Sequence, residues 1–186
     1  YLRTGMQRML NRPRVVQGYR RDGSQFALRL SVTETRVDHE LYFTGLMQDY
    51  TLVDCYQVFA SAGFGATVSD ELKTDPMAFR TDWLKKEGLA PERLAVIRAK
   101  GDSMEPTISD SATLVVHLGR TRPIDGRIYV VRNDDQLWVK RLQVRPDAWV
   151  LISDNTIYPP MTIKKHEQHT FEVIGQVVHI SHDVGE

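Results

Sequence analysis

Two residues of the sequence combine a potential nucleophile with a potential base. Ser103 follows Gly101-Asp102 and precedes Met104-Glu105-Pro106, a context typical of a sharp turn, because glycine tolerates unusual backbone angles and proline fixes φ. A serine hydroxyl becomes an effective nucleophile only when a neighbouring group accepts its proton. Lys140 lies 37 residues further on (140 − 103), and its amine can be that group if burial keeps it neutral.

The residues around Lys140 predict that its side chain is buried. Gln136 to Leu142 has the composition of a β-strand, in which residues two apart share a face. Trp138 and Leu142 therefore flank Lys140, whereas Arg141 points to the other side. A single lysine at a strand edge more commonly lays its methylene stem on apolar surface and extends its amine into water. The pairing with Ser103 favours the catalytic interpretation.

The motif around the serine and two later segments resemble a known family. Gly101 to Ile108 (Gly-Asp-Ser-Met-Glu-Pro-Thr-Ile), then Val139-Lys140-Arg141-Leu142, then Ser153-Asp154-Asn155 are similar to the carboxy-terminal domain of LexA and of phage CI-type repressors. Those domains are self-cleaving Ser-Lys peptidases, related to the mutagenesis protein UmuD and more distantly to signal peptidase. The resemblance extends from Tyr56 to His182.

This resemblance implies roles for particular residues and for partners. Ser103 would be the nucleophile and Lys140 the general base. The chain would act as a repressor in a stress (SOS) response, form a homodimer and be stimulated by a RecA–single-stranded DNA filament. No helix-turn-helix is visible, so we expect DNA binding only through a region outside this sequence. The family usually carries Asp-Gly-Asp where this chain has Ser109-Asp110-Ser111, which loosens the expected turn.

Composition limits the class of protein. The 186 residues allow one large domain or two small ones, and 41% hydrophobic with 26% charged residues is ordinary for a globular protein. The 24 basic and 24 acidic residues balance, so the composition implies no general attraction to nucleic acid or membrane. The single Cys55 excludes an internal disulfide and fits the cytoplasm. No apolar run is long enough for a membrane span, unlike in signal peptidases. The chain starts at Tyr1 without a leader-like segment, which is compatible with a fragment of a longer protein.

Residues 1–51 are predicted to form a small antiparallel sheet. Extended segments at Arg14–Tyr19, Gln25–Arg36 and Leu41–Gln48 surround an Asp22-Gly23 turn signal. Along the second segment the apolar residues alternate, namely Phe26, Leu28, Leu30 and Val32. The amino-acid sequence of these segments resembles the second half of a PAS sensor domain, which forms the closing part of its sheet. Two interpretations stay open, a working sensor and a sheet used only for packing or dimerisation.

Residues 52–67 connect the two parts of the chain. Ala60 to Ala66 consists mostly of small residues, which is typical of a flexible linker. The alternative is that this segment is the substrate, since the self-cleaving repressors carry an Ala-Gly bond at a similar distance before the serine. Ala62-Gly63 fits, because Gly63 precedes Ser103 by 40 residues (103 − 63) and both residues are small enough for close approach. We favour cleavage between Ala62 and Gly63.

Residues 68–186 are predicted to form a compact, barrel-like, mainly β domain. Val68 to Pro76 has a loop-like composition, and Ala78–Glu87 is a short helix candidate that Gly88 ends. Short strands separated by turn signals follow. They are Leu94–Ala99, Thr113–His117, Ile128–Arg132, Leu137–Val144, Trp149–Ser153 and Phe171–Ile180.

Other chemistries have weaker signals. His117 is the nearest histidine to Ser103 for a Ser-His-Asp triad, but a Gly-x-Ser-x-Gly elbow is absent from the sequence. The pairs His166/His169 and His179/His182 have no accompanying cysteines or His-Glu-x-x-His pattern, so a metal site is not expected. No cofactor is implied. Two rival functions remain open: a non-enzymatic dimerisation or sensor module, and a protease that acts in trans on other repressors.

Overall fold

The computed structural model describes residues 13–37, 40–61, 66–67, 73–134, 136–167 and 171–182, and for 57–61, 66–67 and 167 it describes the backbone alone. Within these ranges the chain is mainly β, as predicted, with one short α-helix, α1, at Thr81–Lys86. Two single-turn 3₁₀ helices span Pro91–Arg93 and Lys165–Glu167. None of the described helices is long and apolar enough to cross a membrane.

The described strands are numbered β1 to β12 along the chain. They are Arg14–Tyr19, Gln25–Val37, Glu40–Ser61, Ala66–Thr67, Lys73–Arg80, Leu94–Lys100, Thr113–His117, Ile128–Asn133, Gln136–Val144, Ala148–Ile152, Met161–Lys164 and Phe171–Ser181.

The chain forms two compact units. One comprises Tyr1–Leu52 and Ala78–Pro91, and the other comprises Val53–Met77 and Glu92–Glu186. Neither unit corresponds to a single continuous segment. The domain limits predicted from the sequence, 1–51, 52–67 and 68–186, remain a prediction.

The first unit contains the predicted antiparallel sheet. β2 pairs with β1 and with the first part of β3, so that Leu28 lies opposite Val16 and Leu30 lies opposite Met47. The predicted apolar side chains on β2, namely Phe26, Leu28, Leu30 and Val32, are half-buried. Residues directly opposite in an antiparallel pair share a face, so Val16 and Met47 lie on the same face of the sheet as Leu28 and Leu30. The predicted Asp-Gly turn is also confirmed. Gly23 adopts φ 84°, and its N–H donates to the Arg20 carbonyl at 2.9 Å.

The helix in the first unit is shorter than the sequence predicted. Ala78–Glu87 was the expected span, but β5 continues through Arg80, whose backbone is extended at φ −62° and ψ 125°. Residues 73–76, expected in a loop, belong to the same strand. Gly88 ends the helix as predicted, at φ 64°, and its N–H donates to the Lys85 carbonyl at 3.2 Å.

The second unit holds a sheet with the strand order β3-β6-β7-β12-β8-β9-β10-β11, in which the last part of β3 runs parallel to β6. β9 has further partners at one end, because Ser61 pairs with Trp138, and Ala66 on β4 pairs with Leu137. The predicted strands of this unit agree with the observed ones to within two residues at each end. Three described stretches of strand in this unit were not predicted, namely β4, the part of β5 at residues 73–77 and the four-residue β11.

The core of the second unit lies on both faces of β9. One cluster of buried side chains includes Leu137 and Val139 with Met104 and Ile108 from the segment after β6. The other cluster includes Trp138 and Leu142 with Tyr129, Val131 and Leu151. By strand alternation Lys140 belongs to the same face as this second cluster.

Candidate active site

A sharp turn after β6 presents Ser103. Gly101 adopts φ 93°, in the left-handed region that favours glycine, and its N–H donates to Asp110 Oδ1 at 2.6 Å. The N–H of Glu105 then donates to the Asp102 carbonyl at 3.0 Å, which closes the turn around Ser103.

Two apolar side chains anchor this turn. Met104 and Ile108 are both 1% exposed and lie in the cluster that includes Val139, while the Ile108 N–H donates to the Met104 carbonyl at 2.8 Å. The turn is thus anchored in the core directly after the serine and again five residues after it. Ser103 therefore lies in a turn that is anchored in the core on both sides of its exposed residues 105–107.

The structure brings Ser103 and Lys140 into direct contact. Lys140 Nζ donates a hydrogen bond to Ser103 Oγ at 2.6 Å. Ser103 is fully buried, and Lys140 is 7% exposed. An amine at this distance, when neutral, can accept the hydroxyl proton, which is the geometry that activation of a serine nucleophile requires.

The neighbours of Lys140 on β8 and β9 are large and mainly apolar. Trp138 and Leu142 flank it on β9, as the sequence predicted, and Tyr129 lies directly opposite on β8. Burial lowers the pKa of the Lys140 amine from 10.5 to about 8, because desolvation disfavours the charged form. A substantial fraction of the amine is therefore neutral in mildly alkaline solution.

A second turn, Ser153 to Asn155, binds the backbone of the serine turn. The Asn155 N–H donates to the Ser103 carbonyl at 2.9 Å, and Asn155 Nδ2 donates to the Asp102 carbonyl at 3.2 Å. Asn155 therefore binds two consecutive backbone carbonyls, those of Asp102 and Ser103. Ser153-Asp154-Asn155 was part of the family resemblance, but the sequence did not predict these contacts.

Asp154 links the same turn to β9. Arg141 donates from Nε to Oδ1 at 2.8 Å and from Nη2 to Oδ2 at 2.6 Å, and its Nη1 donates to the Gly126 carbonyl at 2.6 Å. Burial alone would raise the pKa of the Asp154 carboxyl, but hydrogen bonds from Arg141 and Thr107 outweigh that effect and lower it. Asp154 is therefore a carboxylate at neutral pH.

The predicted cleavage residues, Ala62 and Gly63, lie outside the described residues. The described backbone on each side of them pairs with the strands that lead to Ser103 and Lys140. Ser61 pairs with Lys100 at the end of β6 and with Trp138 on β9, and Ala66 pairs with Leu137.

His117 is not close to the serine. It lies opposite Leu94, at the start of β6, whereas Ser103 follows the end of that strand. Because β6 has seven residues and a strand rises about 3.3 Å per residue, His117 and Ser103 lie roughly 20 Å apart along the strand direction. His117 Nδ1 instead accepts a hydrogen bond from the Gly119 N–H at 3.1 Å. The triad interpretation is therefore not supported.

Tyr158 also belongs to the site, and the sequence did not point to it. Its hydroxyl donates to Asp102 Oδ1 at 2.6 Å. Tyr158 precedes Pro159-Pro160 in a segment without periodic pattern, so a contact with a residue 56 positions earlier left no signal in the sequence. Among the described residues, no group of three or more His, Cys, Asp or Glu side chains is arranged to hold a metal ion.

Comparison with known proteins places this site in context. Residues 54–178 match the family model described as Peptidase S24-like. An HTH-type transcriptional regulator of Haemophilus influenzae is 35% identical over 142 residues, covering 75% of this chain and 59% of the relative. The 26 kDa repressor protein of Escherichia phage HK022 is 33% identical over 134 residues, covering 70% and 57%.

A third relative carries the name LexA repressor, from Actinobacillus succinogenes. It is 32% identical over 92 residues, which cover 48% of this chain and 43% of the relative. The chain thus spans less than two thirds of the length of each of these three relatives.

Proposed function

The chain belongs to the peptidase S24-like family, and from this membership we propose that it is a self-cleaving serine endopeptidase of the LexA and phage CI repressor type, with Ser103 as nucleophile and Lys140 as general base. The observation that carries the proposal is the 2.6 Å contact between the buried Ser103 Oγ and Lys140 Nζ. The bond that it hydrolyses is Ala62–Gly63 of the same chain.

The reaction proceeds through a covalent ester. Neutral Lys140 takes the proton of Ser103, and Oγ attacks the Ala62 carbonyl carbon. A backbone amide near Ser103 stabilises the oxyanion of the tetrahedral intermediate. The Lys140 ammonium then gives its proton to the departing nitrogen of Gly63. Water, deprotonated by Lys140, hydrolyses the ester and releases Ser103.

The backbone pairing on each side of the proposed bond supports cleavage in cis. Ser61 and Ala66 pair with residues on β6 and β9, the strands that lead to the serine turn and carry the lysine. The intervening segment has four residues, 62–65. Exchange of this segment between docked and undocked states provides a switch that a partner can bias.

The relatives' names support a regulatory setting for this activity. Two of the three are called repressors, and the third is called a transcriptional regulator. We place the chain in a stress-response (SOS) repressor that forms homodimers, with a RecA–single-stranded DNA filament as the stimulus. Added filament should accelerate cleavage of the purified chain, and an unchanged rate would remove this part of the proposal.

The activity itself is tested by incubating the purified chain at neutral and alkaline pH and measuring the masses of the products. We expect two fragments from the wild type and none from Ser103→Ala. The rate constant should not depend on protein concentration if cleavage is in cis, whereas cleavage in trans becomes faster with concentration. Equal cleavage of wild type and Ser103→Ala would refute the proposal.

The alternative is a non-enzymatic dimerisation or sensor module. The exposed apolar side chains of the first unit favour it, since Val15 and Met47 are each 72% exposed. In that case the wild type and Ser103→Ala should both keep the full mass of the chain after long incubation at every pH.

A further inference from the structure

Tyr158 contacts the serine turn in a way that differs from the contacts of Asn155. Asn155 binds the backbone carbonyls of Asp102 and Ser103, and these bonds hold the turn itself. The Tyr158 hydroxyl binds only the side chain of Asp102, at 2.6 Å from Oδ1. Both side chains of this pair are partly buried. The contact therefore fixes the direction of a carboxylate rather than the path of the backbone.

We propose that Tyr158 is a positioning residue that keeps the Asp102 carboxylate turned away from the Ser103–Lys140 pair. The inference rests on the proposed self-cleavage, because it concerns how that pair works. Asp102 directly precedes Ser103, and consecutive Cα atoms are about 3.8 Å apart. Asp102 is therefore the carboxylate next in sequence to the residue whose Oγ lies 2.6 Å from the Lys140 amine.

The charge of Asp102 matters because Lys140 has to lose its proton. A negative charge within about 4–6 Å of an amine stabilises the ammonium form and raises its pKa. Burial lowers the pKa of Lys140 to about 8, and a nearby carboxylate would oppose this effect. The hydrogen bond from Tyr158 gives Asp102 another partner, so the amine stays in the apolar surroundings that lower its pKa.

Other ionisable groups on the neighbouring strands bind other partners or are exposed. On β8, Tyr129 lies opposite Lys140, and its hydroxyl accepts a hydrogen bond from the Ile124 N–H at 2.9 Å. On the far side of β9, Arg141 and Asp154 bind each other. At the end of β6, Lys100 is exposed. Asp102 directly precedes Ser103. The orientation of its carboxylate relative to the Lys140 amine is therefore what the experiment tests.

The experiment compares the pH dependence of self-cleavage in four forms of the full chain: wild type, Tyr158→Phe, Asp102→Asn and the double variant. Tyr158→Phe removes only the hydroxyl, so the released carboxylate should move the midpoint of the rate profile up by about one pH unit. Below both midpoints this shift makes cleavage about tenfold slower. The double variant should return to the wild-type midpoint, because asparagine carries no charge. Asp102→Asn alone should keep that midpoint.

The outcomes separate this inference from the proposed function. If the wild type shows no Ser103-dependent cleavage at any pH, the proposed function fails. If the wild type cleaves and Tyr158→Phe is slower at every pH with an unchanged midpoint, Tyr158 is merely structural and the inference is wrong. Should circular dichroism show that Tyr158→Phe is unfolded, Asp102→Glu is the second test. Its additional methylene shifts the carboxylate relative to the phenol, so we expect the midpoint to rise again, and an unchanged midpoint would overturn the inference.

Discussion

Arg141 and Asp154 form a two-point ion pair on the side of β9 opposite to Lys140, with N···O distances of 2.8 and 2.6 Å. Asp154 is followed by Asn155, whose N–H binds the Ser103 carbonyl. The strand that carries the lysine is thus joined to the turn that carries the serine through a single peptide link. The ion pair therefore connects β9 to the serine turn on the face of β9 opposite to Lys140.

Asp154→Asn should therefore weaken both stability and self-cleavage. The variant leaves Arg141 without its charged partner, which should cost about 2 kcal/mol at pH 7. The pKa of Asp154 is lowered in the folded state, so its contribution is complete above the unfolded value near 3.8 and is lost as the pH falls through the folded value. Urea unfolding at pH 7 and at pH 3, in a Ser103→Ala background, should show a smaller loss at pH 3.

Asp147→Asn is the matched control for this variant, because Asp147 is exposed and contributes its backbone carbonyl to a bond with the Lys165 N–H. It should change stability by less than about 0.5 kcal/mol. Equal effects of the two substitutions at pH 7 would show that the ion pair does not stabilise the site.

The rate of self-cleavage should rise with pH through a midpoint near 8. In the proposed mechanism the active form of Lys140 is the neutral amine, whose fraction increases as the pH passes its pKa of about 8. Lys140→Ala should abolish cleavage at every pH while circular dichroism shows an intact fold. A wild-type rate that does not depend on pH, or full activity of Lys140→Ala, would exclude this lysine as the base.

Cleavage should produce one fragment that ends at Ala62 and one that starts at Gly63. A small residue on the acyl side suits a narrow pocket, and glycine after it allows the backbone close to the nucleophile. Gly65-Ala66 is the nearest pair of the same residues, in reversed order. Mass spectrometry of the products identifies the new amino terminus, and a terminus other than Gly63 contradicts the assignment.

Ser111→Gly should stabilise the second unit. Ser111 is exposed and adopts φ 62°, in the left-handed region that costs a residue with a side chain about 1–2 kcal/mol. Glycine removes that cost but also increases the freedom of the unfolded chain, so the net gain should be about 0.5–1 kcal/mol. Thermal unfolding of Ser103→Ala with and without the substitution measures it. Ser109→Gly is the control, because Ser109 lacks a positive φ and should lose stability.

Local pattern was sufficient for the parts of the site that lie along one strand. The alternation of Trp138, Lys140 and Leu142 predicted a buried lysine because strand geometry repeats every two residues. The same pattern could not identify Tyr129, since a cross-strand neighbour depends on register. The residue types identified Ser103 and Lys140 as a possible nucleophile and base, and the family resemblance supported a contact between them.

The misplaced elements depend on contacts that local pattern does not contain. Phe79 and Trp83 both belong to the span predicted as one helix, yet Phe79 lies in β5 and Trp83 in α1. Their rings nevertheless stack, with centroids 5.8 Å apart. Strand pairing of residues 73–80 overrides the local preference for helix.

The last prediction concerns the sheet of the first unit. Leu28 and Leu30 are half-buried on β2, and Leu30 lies opposite Met47, which is 72% exposed. Three strands with an apolar face are marginal alone, so we expect this face to be covered by a second copy of the chain or by further residues of a longer one. Replacing Leu28 and Leu30 by Asp should dissociate or unfold this unit, which sedimentation and circular dichroism report. Arg29→Asp, on the other face of β2, is the control and should leave both unchanged.

Self-cleavage provides the second measurement on the same variant. Ser103 and Lys140 both belong to the other compact unit, so slow cleavage after Ala62 should survive the loss of the sheet. However, β3 runs without interruption from Glu40 to Ser61, and its first part pairs with β2. If Leu28→Asp/Leu30→Asp stops cleavage while the peptidase fold stays intact, this strand requires the sheet in order to present the scissile segment. If cleavage continues at the wild-type rate, the peptidase unit acts independently of the sheet.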